Sequence, residues 1–266
     1  MATWRILPAL ALCLAAAPGC SPLLRLIGRP RVQGVHPRIS GIDFEGVNLD
    51  FGVDVRNPYP VRLKAPLLRY ALEVEGKEFL RCDTPTTVDL PPRGTGTVAV
   101  PVRLSYSKLW STYRSLRDLP EASYRFRGTL LLTALGCSFE VPFSREGKVP
   151  VLHAPRFSDV RLRVSELSLR RATVTVEAEV SNPNVFPVDI RGLGYVLKVG
   201  DAELGGLTAS TAGLIPAGGT GHVTLAAQVS PSSVILRVLQ GQSLRHARLC
   251  PSGSLLTPHG TVKLEP

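Results

Sequence analysis

Apolar and polar residues alternate with a period of two along most of the chain. Leu49, Phe51, Val53 and Val55 take every second place in one run, and Val174, Val176, Ala178 and Val180 do so in another. Alternation of this kind marks a strand with one face on a core and the other in water. The first run stops at Asn57-Pro58 and the second at Asn182-Pro183, 125 residues later. The same offset matches Leu68, Tyr70, Leu72 and Val74 with Leu193, Tyr195, Leu197 and Val199. It also matches Pro91-Pro92-Arg93-Gly94 with Pro216-Ala217-Gly218-Gly219, and Gly128-Thr129-Leu130-Leu131 with Gly253-Ser254-Leu255-Leu256. So many agreements at one spacing indicate an internal duplication.

Each copy also holds one helix-like stretch. In the first, Ser107 precedes Lys108 to Leu119, with Leu109, Tyr113 and Leu116 on one face. In the second, Ser230-Pro231 combines a polar cap with proline at the first helical position. Short alternating strands separated by turns argue for antiparallel sheets packed face to face. The chain is therefore expected to be all-β, with two tandem antiparallel β-sandwiches at 32–151 and 154–266, each carrying one short helix. The second copy has only Glu265-Pro266 after Leu264 and is expected to lack its last strand, leaving an edge open.

Composition agrees with a chain that packs a core: 44% of the 266 residues are apolar and 20% charged. The formal charge of +10 dissolves when counted by segment. Residues 32–151 carry 16 basic and 13 acidic side chains and residues 152–266 carry 11 and 8, so each copy is only +3. No basic run exceeds Arg170-Arg171, which argues against nucleic-acid binding. The remaining excess includes Arg25, Arg29 and Arg31, suited to a juxtamembrane stretch near anionic head groups or to a solvated linker.

The first nineteen residues have the form of an export signal. Arg5 gives a positive start, and the apolar run from Ile6 to Ala17, too short to span a bilayer, ends in small residues before Cys20. Small residues followed by Cys resemble a bacterial lipobox, which makes Cys20 the expected lipid-attachment site. Ordinary cleavage after Ala17 is the rival reading. Residues 1–19 are accordingly expected as signal, and 20–31 as lipidated N-terminus and linker. Localisation follows: a bacterial envelope protein anchored through lipid at the periplasmic face of the outer membrane. Cys82, Cys137 and Cys250 are too few and too scattered for a disulfide framework and are expected as buried thiols, with a Cys82–Cys137 pair in an oxidising compartment as the alternative.

Asn182-Pro183-Asn184-Val185-Phe186-Pro187-Val188, the later Tyr195, the Pro216–Gly219 turn and Val141-Pro142-Phe143-Ser144 together resemble the late embryogenesis abundant type 2 family. That family is also called the water-stress-and-hypersensitive-response domain. The resemblance covers nearly all of both copies. It implies sandwiches similar to fibronectin type III modules, no catalytic residues, and an association with desiccation and stress tolerance. On the residues themselves, Asn57-Pro58 and Asn182-Pro183 read as structural motifs. Proline holds the preceding residue extended, and the Asn side chain can bond the backbone two residues on.

Catalytic, metal-binding and cofactor-binding residues are not expected. His36, His153, His222, His246 and His259 stand apart, and no Gly-x-Ser-x-Gly elbow occurs. Gly94-Thr95-Gly96 and Gly218-Gly219-Thr220-Gly221 precede strands and read as hairpin turns, not as phosphate loops. The functional expectation is a non-enzymatic envelope lipoprotein that protects under water stress, its partner being the membrane reached through the N-terminal lipid. One alternative is a carrier with a lipid or other hydrophobic ligand in a cavity of about 300–1,000 Å³. Another is a scaffold binding a protein partner by strand addition.

Overall fold

The computed structural model describes residues 28–112, 119–134, 136–167, 172–199, 202–211, 213–229 and 247–264. Strands dominate them. The first copy contains β1 (Arg31–Ile42), β2 (Gly46–Arg56), β3 (Leu63–Val74), β4 (Lys77–Leu90), β5 (Thr95–Ser105), helix α1 (Tyr106–Thr112), β6 (Glu121–Ala134) and β7 (Cys137–Pro150). They form a three-stranded sheet, β1-β2-β5, and a four-stranded sheet, β4-β3-β6-β7, with every pairing antiparallel.

The alternation seen in the sequence is what fills the space between these sheets. Leu49, Phe51, Val53 and Val55 are all buried, as are Leu68, Leu72 and Val74 facing them. Phe51 of β2 stacks on Phe126 of β6 with ring centroids 4.0 Å apart, and Phe126 in turn touches Phe143 of β7. Both Phe51 and Phe126 are fully buried, and burial of each stabilises by about 1.5–3 kcal/mol. Helix α1 closes one end. Leu109 and Tyr106 are buried, and the Tyr106 hydroxyl donates to the Pro150 carbonyl while accepting from the Leu152 N–H. Its burial pushes the phenol up to about 12. The helix begins one residue before Ser107. Tyr113 and Leu116 of the expected helix, and all of the expected second helix, lie outside the described residues.

The second copy contains β8 (Arg156–Leu167), β9 (Ala172–Ser181), β10 (Val188–Asp189), β11 (Leu193–Val199), β12 (Ala202–Thr211), β13 (Leu214–Ile215), β14 (Thr220–Val229), β15 (Ala247–Thr257) and β16 (Gly260–Leu264). Two of its registers repeat those of the first copy at the same offset: Tyr70 faces Cys82 and Tyr195 faces Leu207, Thr95 faces Arg56 and Thr220 faces Ser181. Val174, Val176, Ala178 and Val180 are buried here too.

Four differences separate the copies from the expectation. First, β12 pairs with β14 through Thr208↔Ala226 and Ala209↔Leu225, so the second copy's two layers are one continuous sheet. In the first copy the matching positions on β4 and β5 stay apart, and a hollow of about 470 Å³ runs between them beside Pro85 and Pro101. Pro101 stands where the second copy has Ala226. It has no N–H to give a ladder, so the seam cannot zip there. Second, the Pro91–Gly94 turn does not make a hairpin. It carries the chain from one sheet to the other.

Third, Tyr70 faces Gly128 but Tyr195 faces Pro251, so β15 sits two residues out of step with the sequence match to Gly253. An even slip keeps the apolar face inward, and Leu255 is fully buried. Fourth, the strand expected to be missing exists in short form. Residues Gly260–Leu264 pair with Gly253–Thr257, while Ala247–Ser252 pair with β11 alone among the described residues.

Gly128 shows how closely the first sandwich is filled. A Cβ there would lie 2.4 Å from the Arg69 carbonyl oxygen and 2.6 Å from Phe143. Gly128→Ala is expected to lower stability by about 1–3 kcal/mol, read as a fall in the urea midpoint with unchanged slope.

Candidate functional site

The Asn-Pro pairs occupy the same place in both copies. Strands β2 and β9 end one residue before Asn57 and Asn182, and both Asn side chains are buried. Asn57 Oδ1 accepts the Tyr59 N–H at 2.9 Å, the bond two residues on that the sequence suggested. Its Nδ2 also donates to the carbonyls of Val61 (2.8 Å), Leu90 (3.3 Å) and Pro91 (2.9 Å). Asn182 repeats every contact: Oδ1 from Asn184 N–H, Nδ2 to Phe186, Ile215 and Pro216. The Asn57 N–H donates to Gly94 O, and that of Asn182 to Gly219 O. Each Asn thus ties the end of its strand to the turn that brings the chain back to that strand's own neighbour, β5 beside β2 and β14 beside β9. Pro58 and Pro183 follow as the residues that stop the strand.

The third residue of each motif differs, and so does its work. Asn184 exchanges two hydrogen bonds with the linker residue His153: His153 N–H donates to Asn184 Oδ1 at 2.7 Å, and Asn184 Nδ2 donates to His153 O at 2.9 Å. His153 Nε2 lies 3.0 Å from Leu119 O of the first copy. The linker is therefore tied to both copies. In the first copy the same position is Tyr59, whose ring lies 5.5 Å from Phe139 at the floor of a cleft of about 900 Å³ between β1 and β7. Arg29 and Arg31 stand at its rim. The sequence contained the difference at this position but not its consequence, because Phe139 and His153 are distant along the chain.

The outer face of the four-stranded sheet interleaves opposite charges. Arg127 meets Glu73 at 2.7 Å, Arg125 meets Glu146 at 2.7 Å, Arg81 meets Glu78 at 2.6 Å, and Arg69 lies near Asp83 and Glu140. These pairs are mostly exposed and each contributes little to stability. They do account for these arginines: Arg69, Arg125 and Arg127 meet acids on other strands of the sheet, and Arg81 meets one on its own strand. In the second copy Glu177 sits on the wet strand face facing Arg163.

Other expected features are placed as follows. Cys20 lies outside the described residues, as does His246. His36 pairs with Asp54 at 3.0 Å, and the His259 ring meets Phe186 edge-on. Among the described residues, no three His, Cys, Asp or Glu side chains gather to hold a metal. Of the three thiols only Cys137 is buried; Cys82 and Cys250 sit half-covered on strands, contrary to expectation. The Tyr195 hydroxyl is buried with no hydrogen-bond partner among the described residues, and burial pushes it up to about 12. Its counterpart Tyr70 has Cys82 and Thr84 beside it, where the second copy has Leu207 and Ala209.

These features define a class: duplicated all-β proteins in which a buried Asn at each sandwich end joins the layers. The chain belongs to the late embryogenesis abundant protein family, whose sequence profile matches residues 52–147 and 177–251. No curated protein matches it. Among solved structures it is similar to a protein from Archaeoglobus fulgidus, with 17% identity over 46% of this chain and 99% of that one, at a TM-score of 0.37. A protein from Arabidopsis thaliana gives 20% identity, 46% and 81% coverage and a TM-score of 0.36. Red sea bream transglutaminase gives 16% identity over 89% of this chain but only 32% of its own, at 0.26.

Two outcomes follow from this geometry. Asn57→Ala or Asn182→Ala strands several carbonyls in the core and is expected to cost about 2–4 kcal/mol in urea unfolding. The second concerns pH. The Arg191 guanidinium bonded to Asp189 holds its carboxyl below the ordinary 3.8, and burial lowers His259 below 6.5. A depressed carboxyl contributes stability that is complete above its ordinary range and fades as pH falls through its folded value. A depressed histidine resists protonation, which also penalises the fold on acidification. Thermal midpoints are expected to drop in two stages, below about pH 6.5 and again below about pH 4. Asp189→Asn is expected to shrink the second stage without removing it, because Arg103 and the Glu45 and Gly46 amides also hold Asp43 below its ordinary value.

Proposed function

We propose that this chain is a non-enzymatic lipoprotein of the bacterial envelope, held by acyl chains on Cys20, that protects envelope components when water is scarce. The family match over both copies carries the reading. It is supported by sandwiches whose apolar faces are filled by their own side chains, and by a balanced mosaic of charge on one outer face. Such a surface holds water and meets partners without strong net attraction. The signal-like stretch ending at Cys20 supplies the address, and multiple acyl chains would anchor the protein firmly, each buried CH₂ contributing about 0.8 kcal/mol.

A strain lacking the protein is expected to lose viability on drying, restored by the wild-type gene but not by a Cys20→Ala version, while intact mass shows acylation at Cys20. Unimpaired survival of the deletion strain, or an unmodified Cys20, overturns the corresponding half of this reading.

A further inference from the structure

The cleft between β1 and β7 joins three observations that the protective reading leaves unused. Its floor is apolar, formed by Tyr59, Phe139, Val141 and Val32, with Tyr59 and Val141 buried. Its rim carries Arg29 and Arg31, both exposed, and no ion pair among the described residues involves either guanidinium. The rim's Glu140 carboxylate is engaged instead with Arg69 at 3.5 Å.

The second observation is a like-charge opposition. Arg31 on β1 is directly opposite Arg56 on β2. Like charges facing each other across antiparallel strands are unfavourable, and an anion between or beside them relieves the repulsion. The second copy has Arg156 opposite Ser181 at the same register, so the fold does not require the pair.

The third is reach. Gly28 is eight residues beyond Cys20, and eight residues extend at most about 29 Å. Arg29, the first residue lining the cleft, is nine residues beyond Cys20, so an acylated Cys20 keeps it within about 32 Å of the point where the acyl chains enter the bilayer. A positive rim over an apolar floor is complementary to a molecule with an anionic head and an oily tail.

We propose that this cleft docks an anionic phospholipid of the bilayer that holds Cys20, with the phosphate at Arg29 and Arg31 and the proximal acyl segment over Tyr59 and Phe139. The proposal rests on the anchored-lipoprotein reading. Docking at this point turns the first sandwich's Asn-Pro end toward the membrane. It also relieves the Arg31–Arg56 repulsion only when lipid is present.

The test uses the full chain in vesicles of phosphatidylcholine doped with phosphatidylglycerol bearing a photoactivatable group near the glycerol end of one acyl chain. Adducts mapped by mass spectrometry are expected on the peptides containing Tyr59 and Phe139. Two charges near an anionic surface are together worth about a thirty-fold change in occupancy, so Arg29→Gln with Arg31→Gln is expected to reduce those adducts about thirty-fold. Equal labelling from a phosphatidylcholine probe, undiminished adducts in the double variant, or adducts scattered elsewhere would each overturn the proposal. The intact mass of the same sample separates the two claims. Unmodified Cys20 with adducts still confined to the cleft removes the anchor and keeps the docking site.

Discussion

Each sandwich depends on one buried amide. At the end of the first copy the chain must leave β2, turn, and later cross from the four-stranded sheet to the three-stranded one. These irregular segments present backbone carbonyls that face neither solvent nor a ladder. Asn57 answers them with a single side chain, its Nδ2 within hydrogen-bond distance of three carbonyls while its Oδ1 takes the N–H of Tyr59. Only an amide offers both donors and an acceptor in so small a volume. Asn182 does the same in the second copy, with every partner displaced by the repeat length. The Pro that follows each one ends the strand, so that the amide arrives at the turn.

With the clamp held constant, the surroundings have diverged. Position three of the motif is Tyr59 in one copy and Asn184 in the other, giving an apolar cleft floor in the first and a linker clamp in the second. The seam between the layers is zipped by β12 and β14 in the second copy and kept open in the first, where Pro101 replaces a residue with an N–H. Duplication supplied two copies of one scaffold, and their edges took on different work. The first copy holds the cleft between β1 and β7 and the open seam. The second holds the linker and a closed sheet.

Much of this was legible in the sequence. Period-two alternation locates β2 and β9 and names their buried faces, because a strand on a core must place every second side chain inward. The repeat offset locates the turns. Strand-to-strand register was legible less far. Gly128 and Gly253 match as letters, yet they face different partners, because the β15-β16 turn comes two residues earlier and a two-residue slip costs nothing in burial. The short β16 was missed for a related reason: five residues ending at Leu264 give too little alternation to be recognised.

What the chain's own order of residues determined is the class: a duplicated β-sandwich with Asn-Pro strand ends and balanced charge in each half. Those properties are local, written in the spacing of neighbours a few residues apart. Tertiary structure alone decided which side chains meet across long separations. It set Arg31 against Arg56 and Tyr59 over Phe139, and bonded Asn184 to His153. No spacing rule connects such residues, because their proximity arises from how sheets stack and where a proline keeps two edges apart.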